Sequence, residues 1–278
     1  MSYRILALDI DGTILDPHGS LPEAVRDAVA SARQHGLRVI LCTGRRFRTA
    51  LPWARELGLD GAIVVNNGTL IKQIESGETL RHSYLPLDEY APLISFVRRR
   101  GSPLVYVDTY HENVDLVTER CSLTHEFQRE YLNDNTAFFR TIDDLHAEPR
   151  SDVIMVSTMG DEETLGLLRE EASEQFGSRV RTHSLINKNY RGMILEFLSP
   201  HSGKWAALSA IAADAGVAAE QIIAVGDDTN DIEMIRNAGL GIAMGNAAAE
   251  VKQAADHVVR SNAEGGVVEA IRKALLLL

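Results

Sequence analysis

Apolar and polar positions follow two different rhythms along this chain. Short, almost wholly apolar runs at Ile5–Leu8, Leu37–Cys42, Gly61–Val65, Ile222–Val225, Gly241–Met244 and His257–Val259 each end in polar or glycine-containing stretches. Such runs are the signature of strands buried on both faces of a parallel sheet. Between them the spacing predicts helices over 24–34, 47–57 and 204–215. The first opens at Ser20-Leu-Pro22-Glu23, read as a capping box, and is stopped by Gly36; the second is expected to break or bend at Pro52. Asn66-Asn67-Gly68 reads as turn chemistry, with Asn67 weighed as an outer contact and placed below the turn. Leu70–Lys72 and Thr79–Arg81 read as a hairpin.

From about Leu85 the rhythm changes. Asp88 is expected to cap a helix ending at Gly101, and strands follow at 104–108 and 115–118. A polar, aromatic-rich stretch with Phe127, Tyr131, Phe138 and Phe139 comes next. A strand at 153–158, a helix from Glu162 to Gln175 and paired strands at 180–185 and 193–198 complete the region. Helices and paired strands in this mixture predict an α+β unit, residues 85–198, inserted into an α/β parallel-sheet core formed by 1–84 and 199–278.

Two of the apolar runs end in acids. Ile5–Leu8 leads into Asp9-Ile10-Asp11-Gly12-Thr13, and Ile222–Val225 leads into Gly226-Asp227-Asp228-Thr229-Asn230-Asp231. Two like charges about 4 Å apart repel by roughly 4 kcal/mol at a protein-surface dielectric, so buried acids need a proton or a cation. The first stretch alone fits a metal-assisted site and an Asp-Gly turn after an edge strand about equally. The second stretch decides for the site, because neighbouring strands of an open parallel sheet deliver their carboxyl ends to one crevice. Thr43-Gly44-Arg45, after the strand at 37–42, offers a hydroxyl and a Gly N–H suited to a phosphate oxygen; alone it would read as a turn. Lys204 stands near a helix amino terminus, where a cation is unfavourable unless an anion accompanies it.

Asp9-Ile-Asp11-Gly-Thr13, Thr43-Gly44-Arg45, Lys204 and Gly226-Asp227-Asp228-Thr229-Asn230-Asp231, in this order, resemble the haloacid dehalogenase superfamily of phosphohydrolases, in its Cof-type branch with a large inserted cap. The tail Gly241-Ile-Ala-Met-Gly245-Asn246-Ala, with Val251-Lys252, Ala255-Asp256, Asn262 and Gly265-Gly266-Val267, resembles the same branch. The resemblance covers nearly the whole chain. It departs at Lys204, whose neighbours are Gly203 and Trp205 where many members carry Ser before and Gly after, which leaves the loop shape there less defined.

The resemblance implies a Rossmann-like core with an α+β cap that is mobile over the active site. It implies Asp9 as nucleophile forming an aspartyl phosphate, and Asp11 as general acid and base. It implies Mg²⁺ held by Asp9, the Asp11 main-chain carbonyl and Asp227, with Asp231 orienting the metal's surroundings or Lys204. Ile10 through its N–H, Thr43, Gly44, Lys204 and Asn230 would surround the phosphate oxygens. Asp228 reads as a solvated loop acid, and His183 and His201 as structural or solvated. Within the insert, Asn187-Lys188-Asn189-Tyr190-Arg191 reads as a hairpin turn ahead of a leaving-group contact. The expected activity is a Mg²⁺-dependent phosphatase of small phosphorylated metabolites. The alternatives are a phosphomutase or phosphoryl transferase using the same intermediate, or a non-enzymatic phospho-acceptor regulator.

Composition narrows this picture. A net charge of −11 over 278 residues argues against general nucleic-acid binding and leaves an anionic substrate to be attracted locally. The two cysteines, Cys42 and Cys121, give no disulfide framework or zinc spacing, and Cys42 is expected to be a buried filler. No stretch approaches the roughly 18 apolar residues of a membrane helix, so no membrane partner and a cytoplasmic location are expected. The sequence sets no oligomeric state.

Overall fold

A computed structural model describes residues 2–121, 124–187 and 192–277. The chain divides into two compact units, Met1–His82 with Gly203–Leu278, and Ser83–Ser202.

The first unit is built on a parallel sheet of five strands in the order His257–Val258, Leu240–Ala243, Ile222–Gly226, Ile5–Leu8, Arg38–Leu41. Ile5–Leu8 is an interior strand and wholly buried, as its unbroken apolar run requires. Leu8 is in register with Val225 on one side and Leu41 on the other. Because all three strands run the same way, the residues that follow them, Asp9, Gly226-Asp227 and Cys42-Thr43, emerge along one edge. The helix Lys204–Asp214 turns Ala207, Leu208, Ile211 and Ala212 onto the sheet against Ile5, Ala7, Ile40, Ile222 and Ala224. Helices Glu23–Gln34 and Gly266–Leu275 pack on each other.

Ala62–Val65 does not continue the main sheet. It pairs antiparallel with Leu70–Gln73, which pairs with Thr79–His82, and it meets the main sheet through a parallel bridge between Cys42 and Val64. Asn66, Asn67 and Gly68 all adopt positive φ, as the turn reading expects.

The capping box at Ser20 does not form. The helix begins at Glu23 behind Pro22, whose backbone is already extended, and the Ser20 N–H donates to Asp16 Oδ1 at 2.9 Å. The helix Phe47–Glu56 runs unbroken through Pro52, its buried face of Phe47, Ala50, Leu51 and Ala54 outweighing the one backbone donor that proline lacks.

The unit Ser83–Ser202 has a six-stranded sheet in the order Arg181–Asn187, Gly192–Leu198, Val153–Gly160, Leu104–Thr109, Val114–Glu119, Phe139–Ile142. All pairs are antiparallel except the last. Helices Leu87–Val97 and Glu162–Phe176 share its apolar core, where Phe96 meets Phe176 and Phe197 edge to face at 5.2 and 5.9 Å. Asp88 is not a cap: Pro86 occupies the cap position, and Asp88 and Glu89 fall in the first turn, where they suit the helix dipole. The aromatic-rich stretch contains a helix, Glu126–Asp134, that its pattern did not announce. Residues 188–191 of the 187–191 cluster lie outside the described residues. Among the described residues, no helix is long and apolar enough to cross a membrane.

Candidate active site

The edge where Ile5–Leu8 and Ile222–Gly226 end gathers Asp9, Asp227 and Asp231, whose carboxylate oxygens lie within 4.8 Å of one another. Lys204, buried at the start of its helix, donates from Nζ to Asp9 Oδ1 and to Asp231 Oδ1, both at 2.7 Å. The anionic partners that its position calls for are thus the protein's own carboxylates.

Asp231 is fully buried, and its second oxygen accepts the Asp227 and Asp228 N–H groups at 3.0 and 3.1 Å. Both of its oxygens are engaged in holding the loop and Lys204. Gly226 makes room for this, since a Cβ there would fall 2.4 Å from the Asp231 carboxyl carbon. Asp228 caps the turn, its Oδ1 accepting the Thr229 N–H at 2.6 Å.

Asp227 accepts the Thr13 hydroxyl on Oδ1 at 2.9 Å and the Asn246 amide on Oδ2 at 3.2 Å. Gly12 is indispensable beside it: φ is +76°, and a Cβ would lie 2.1 Å from Asp227 Oδ2. The Thr13 hydroxyl of the acidic motif thus anchors the Asp227 carboxylate.

Asp11 points elsewhere. Its carboxylate takes a two-pronged ion pair from Arg45, with Nε to Oδ2 at 2.7 Å and Nη2 to Oδ1 at 2.6 Å, and its side chain is 58% exposed. The motif around Arg45 gives no sign of this partner. Its backbone N–H donates to Thr43 Oγ1 at 3.1 Å, so the buried Thr43 hydroxyl keeps its one hydrogen to give.

Ile10 is buried, and its carbonyl accepts the Leu15 N–H at 3.1 Å. Gly44 faces Asn67, whose Oδ1 would be 2.9 Å from a Cβ at that position. Asn230 donates from Nδ2 to the same Asn67 oxygen at 2.8 Å. Its own Oδ1 is buried with no hydrogen-bond partner among the described residues, a penalty of about 1–3 kcal/mol that a bound molecule would relieve. Gly68 lets Gly203 approach, since a Cβ on Gly68 would meet the Gly203 carbonyl oxygen at 2.1 Å. That contact fixes the loop ahead of Lys204.

The electrostatics are lopsided. Three buried or half-buried carboxylates, Asp9, Asp227 and Asp231, face one ammonium, which leaves two negative charges unbalanced. Burial pushes the Asp9 carboxyl well above its ordinary value despite Lys204, with Asp231 and Asp227 adding to the rise. Burial and the Asp231 charge push Asp227 up to about 7. Lys204, in spite of its burial, is held charged by Asp231 and Asp9. The Cys42 thiol is driven up by burial and stays inert, a filler as expected. An all-oxygen donor set with an excess of two negative charges fits a hard divalent cation.

A parallel sheet whose acid-bearing strand ends share a buried lysine defines an α/β protein with a candidate cation and phosphoryl site. The family model described as haloacid dehalogenase-like hydrolase matches residues 6–271, and the chain belongs to that family, as its motifs indicated. The phosphatase-named protein YxeH of Bacillus subtilis is 29% identical over 282 residues, covering 99% of both chains. The 5-amino-6-(5-phospho-D-ribitylamino)uracil phosphatase YitU of the same organism is 27% identical over 276 residues, covering 97% of this chain and 96% of its own. A crystal structure of a haloacid dehalogenase-like hydrolase from Bacteroides thetaiotaomicron superposes with a TM-score of 0.80 at 29% identity, covering 98% of this chain and 99% of that one.

Proposed function

We propose that this chain is a Mg²⁺-dependent phosphatase of small phosphorylated metabolites, sugar phosphates foremost, working through an aspartyl phosphate on Asp9. The observation that carries the proposal is the buried Asp9 carboxylate, held on one oxygen by Lys204 at 2.7 Å and surrounded by two further acids at the sheet edge.

With Oδ1 engaged by Lys204, Asp9 attacks phosphorus through Oδ2. The phosphorus–oxygen bond to the leaving group breaks as Asp11 gives its proton to the departing alkoxide. Asp11 then takes a proton from water, which attacks the same phosphorus and releases Asp9. In the structure the Asp11 carboxylate is docked on Arg45, so it changes rotamer to serve both steps. Lys204, the Thr43 hydroxyl, the Gly44 and Ile10 N–H groups and the Asn230 amide hold the phosphoryl oxygens as charge shifts onto them. Asp9, Asp227 and the Asp11 main-chain carbonyl would hold Mg²⁺, which supplies charge neutralisation at the phosphoryl oxygens when bound. Asp231 acts through Lys204 and the loop N–H groups. These residues serve a phosphoryl group and nothing beyond it, so selectivity for the rest of the substrate is assigned to the unit Ser83–Ser202, read as a cap.

The test is phosphate release from a panel of phosphorylated metabolites with and without Mg²⁺, run beside Asp9→Asn. Metal-dependent release by the wild type is expected, with a loss on the order of 10³-fold or more in the variant and an unchanged circular dichroism spectrum. Phosphate recovered on an acceptor sugar would identify a transferase instead. A long-lived phosphoenzyme without turnover would identify a regulator.

A further inference from the structure

The tail segment around Asn246 and Asn262, singled out in the sequence and unused by the chemistry above, reaches back 234 residues to the nucleophile turn. Asn246 Nδ2 donates to the Gly12 carbonyl at 2.9 Å and to Asp227 Oδ2 at 3.2 Å, and its Oδ1 accepts the Asn262 N–H at 2.9 Å. Asn262 in turn donates from Nδ2 to the Leu15 carbonyl at 2.8 Å. The amide orientation is set by chemistry. Gly12 O can only accept and Asn262 N–H can only donate, so the reversed amide would oppose both.

Two glycines press this segment together. A Cβ on Gly245 would fall 2.7 Å from the Ser261 nitrogen, and one on Gly266 would fall 1.8 Å from the Arg260 carbonyl oxygen. Gly245 N–H also donates to Arg260 O at 3.0 Å. The two asparagines are therefore held by close backbone packing, and they clamp the turn at Gly12 and again at Leu15.

We infer that Asn246, backed by Asn262, is a positioning residue for the divalent cation: one amide fixes both the Asp227 carboxylate and the peptide next to the Asp11 carbonyl. This rests on the Mg²⁺ reading above. Two of the three groups assigned to the cation belong to segments 216 residues apart in the chain, Asp11 and Asp227. Asn246 ties them together from outside the coordination sphere, where loss of an orienting partner commonly weakens metal binding about 10–100-fold.

Calorimetric titration of Mg²⁺ into metal-free wild type, Asn246→Ala and Asn262→Ala tests it, with melting curves taken alongside. The expected result is Mg²⁺ affinity weakened about 10–100-fold in Asn246→Ala and by a smaller factor in Asn262→Ala, which keeps its backbone N–H on Asn246. Affinity equal to wild type in both folded variants, with only a lowered Tm, would overturn the inference and leave the metal reading standing. A wild type that binds no Mg²⁺ would overturn the metal reading, and this inference with it. Should Asn246→Ala not fold, Asn262→Ala decides alone: weakened affinity supports the clamp, and wild-type affinity overturns it.

Discussion

Glu119 in the unit Ser83–Ser202 and Asp9 at the sheet edge are both buried carboxylates in short contact with a cation. Glu119 meets Arg98 at 2.6 Å and Asp9 meets Lys204 at 2.7 Å. Their surroundings drive them in opposite directions. Burial alone would raise Glu119, but the Arg98 guanidinium and the Leu145 N–H outweigh it and hold the carboxyl below its ordinary value. At Asp9 burial prevails over the pull of Lys204, with the Asp231 and Asp227 charges adding to the rise. Arg98 is shared too, donating to Asp144 at 2.6 Å, but that carboxylate is half exposed to water, whereas the acids around Lys204 are largely buried and leave two negative charges for something else to balance. A structural ion pair and a candidate site are separated here by how far water reaches the acids as well as by how many of them crowd one cation.

The comparison breaks first at the two cations. Lys204→Met would leave three acids with no positive charge, and stability is expected to fall by about 3–5 kcal/mol at pH 8, with less loss at pH 5.5 where the acids take up protons. Phosphate release should fall on the order of 10²–10³-fold in the same variant, since a phosphoryl-holding charge is gone. Arg98→Met removes the equivalent cation from Glu119. Arg98 is 30% exposed, so water replaces part of the pairing and a cost of about 1–3 kcal/mol is expected. Its phosphate release at 25 °C should stay within about twofold of wild type. Urea melts paired with phosphate-release assays check both variants; an Arg98→Met enzyme that folds but has lost turnover would erase the distinction between the units.

Asp9, Thr43 and Asp227 of the candidate site were legible because each sits within a few positions of an apolar run whose end must lie at the sheet's carboxyl edge. Lys204, which opens a helix, was placed with them by its motif and by the anion its position calls for. What escaped was decided by side-chain direction and by distant partners. Nothing local says that Asp11 turns to Arg45, 34 residues on, or that Asn246 reaches Gly12. The helix Glu126–Asp134 was hidden for another reason: Gln128 is its one wholly buried residue, so it has no apolar stripe to betray it. Gln128 is satisfied instead by polar bonds, Nε2 to Ser102 O and Oε1 from Met159 N–H, at 3.1 Å each. The two failed caps, Ser20 and Asp88, share a cause, since Pro22 and Pro86 already supply the extended residue from which a helix can start.

The smallest expected effect sharpens the comparison by giving the two units opposite responses to acid. Asp227 has a folded pKa of about 7, above its unfolded value, so the folded state holds the proton more tightly. Its contribution to stability is fully present below pH 4 and is lost as pH rises through about 7. Glu119, depressed in the folded state, contributes above its unfolded value and loses that contribution as pH falls through its folded pKa. Metal-free protein brought from pH 8 to pH 5.5 should therefore gain on the order of 5 °C in Tm, the gain arising at the sheet edge. Further acidification, below about pH 4, should loosen the Arg98–Glu119 region first. Hydrogen exchange resolved by peptide reads the two regions separately, and Asp227→Asn, which cannot titrate, should flatten the change between pH 8 and 5.5 while leaving the acid-side response of Glu119 intact. An Asp227→Asn protein whose Tm climbs as steeply as wild type over that interval would show that the unbalanced charge resides on another acid of the cluster, Asp9 being next in line.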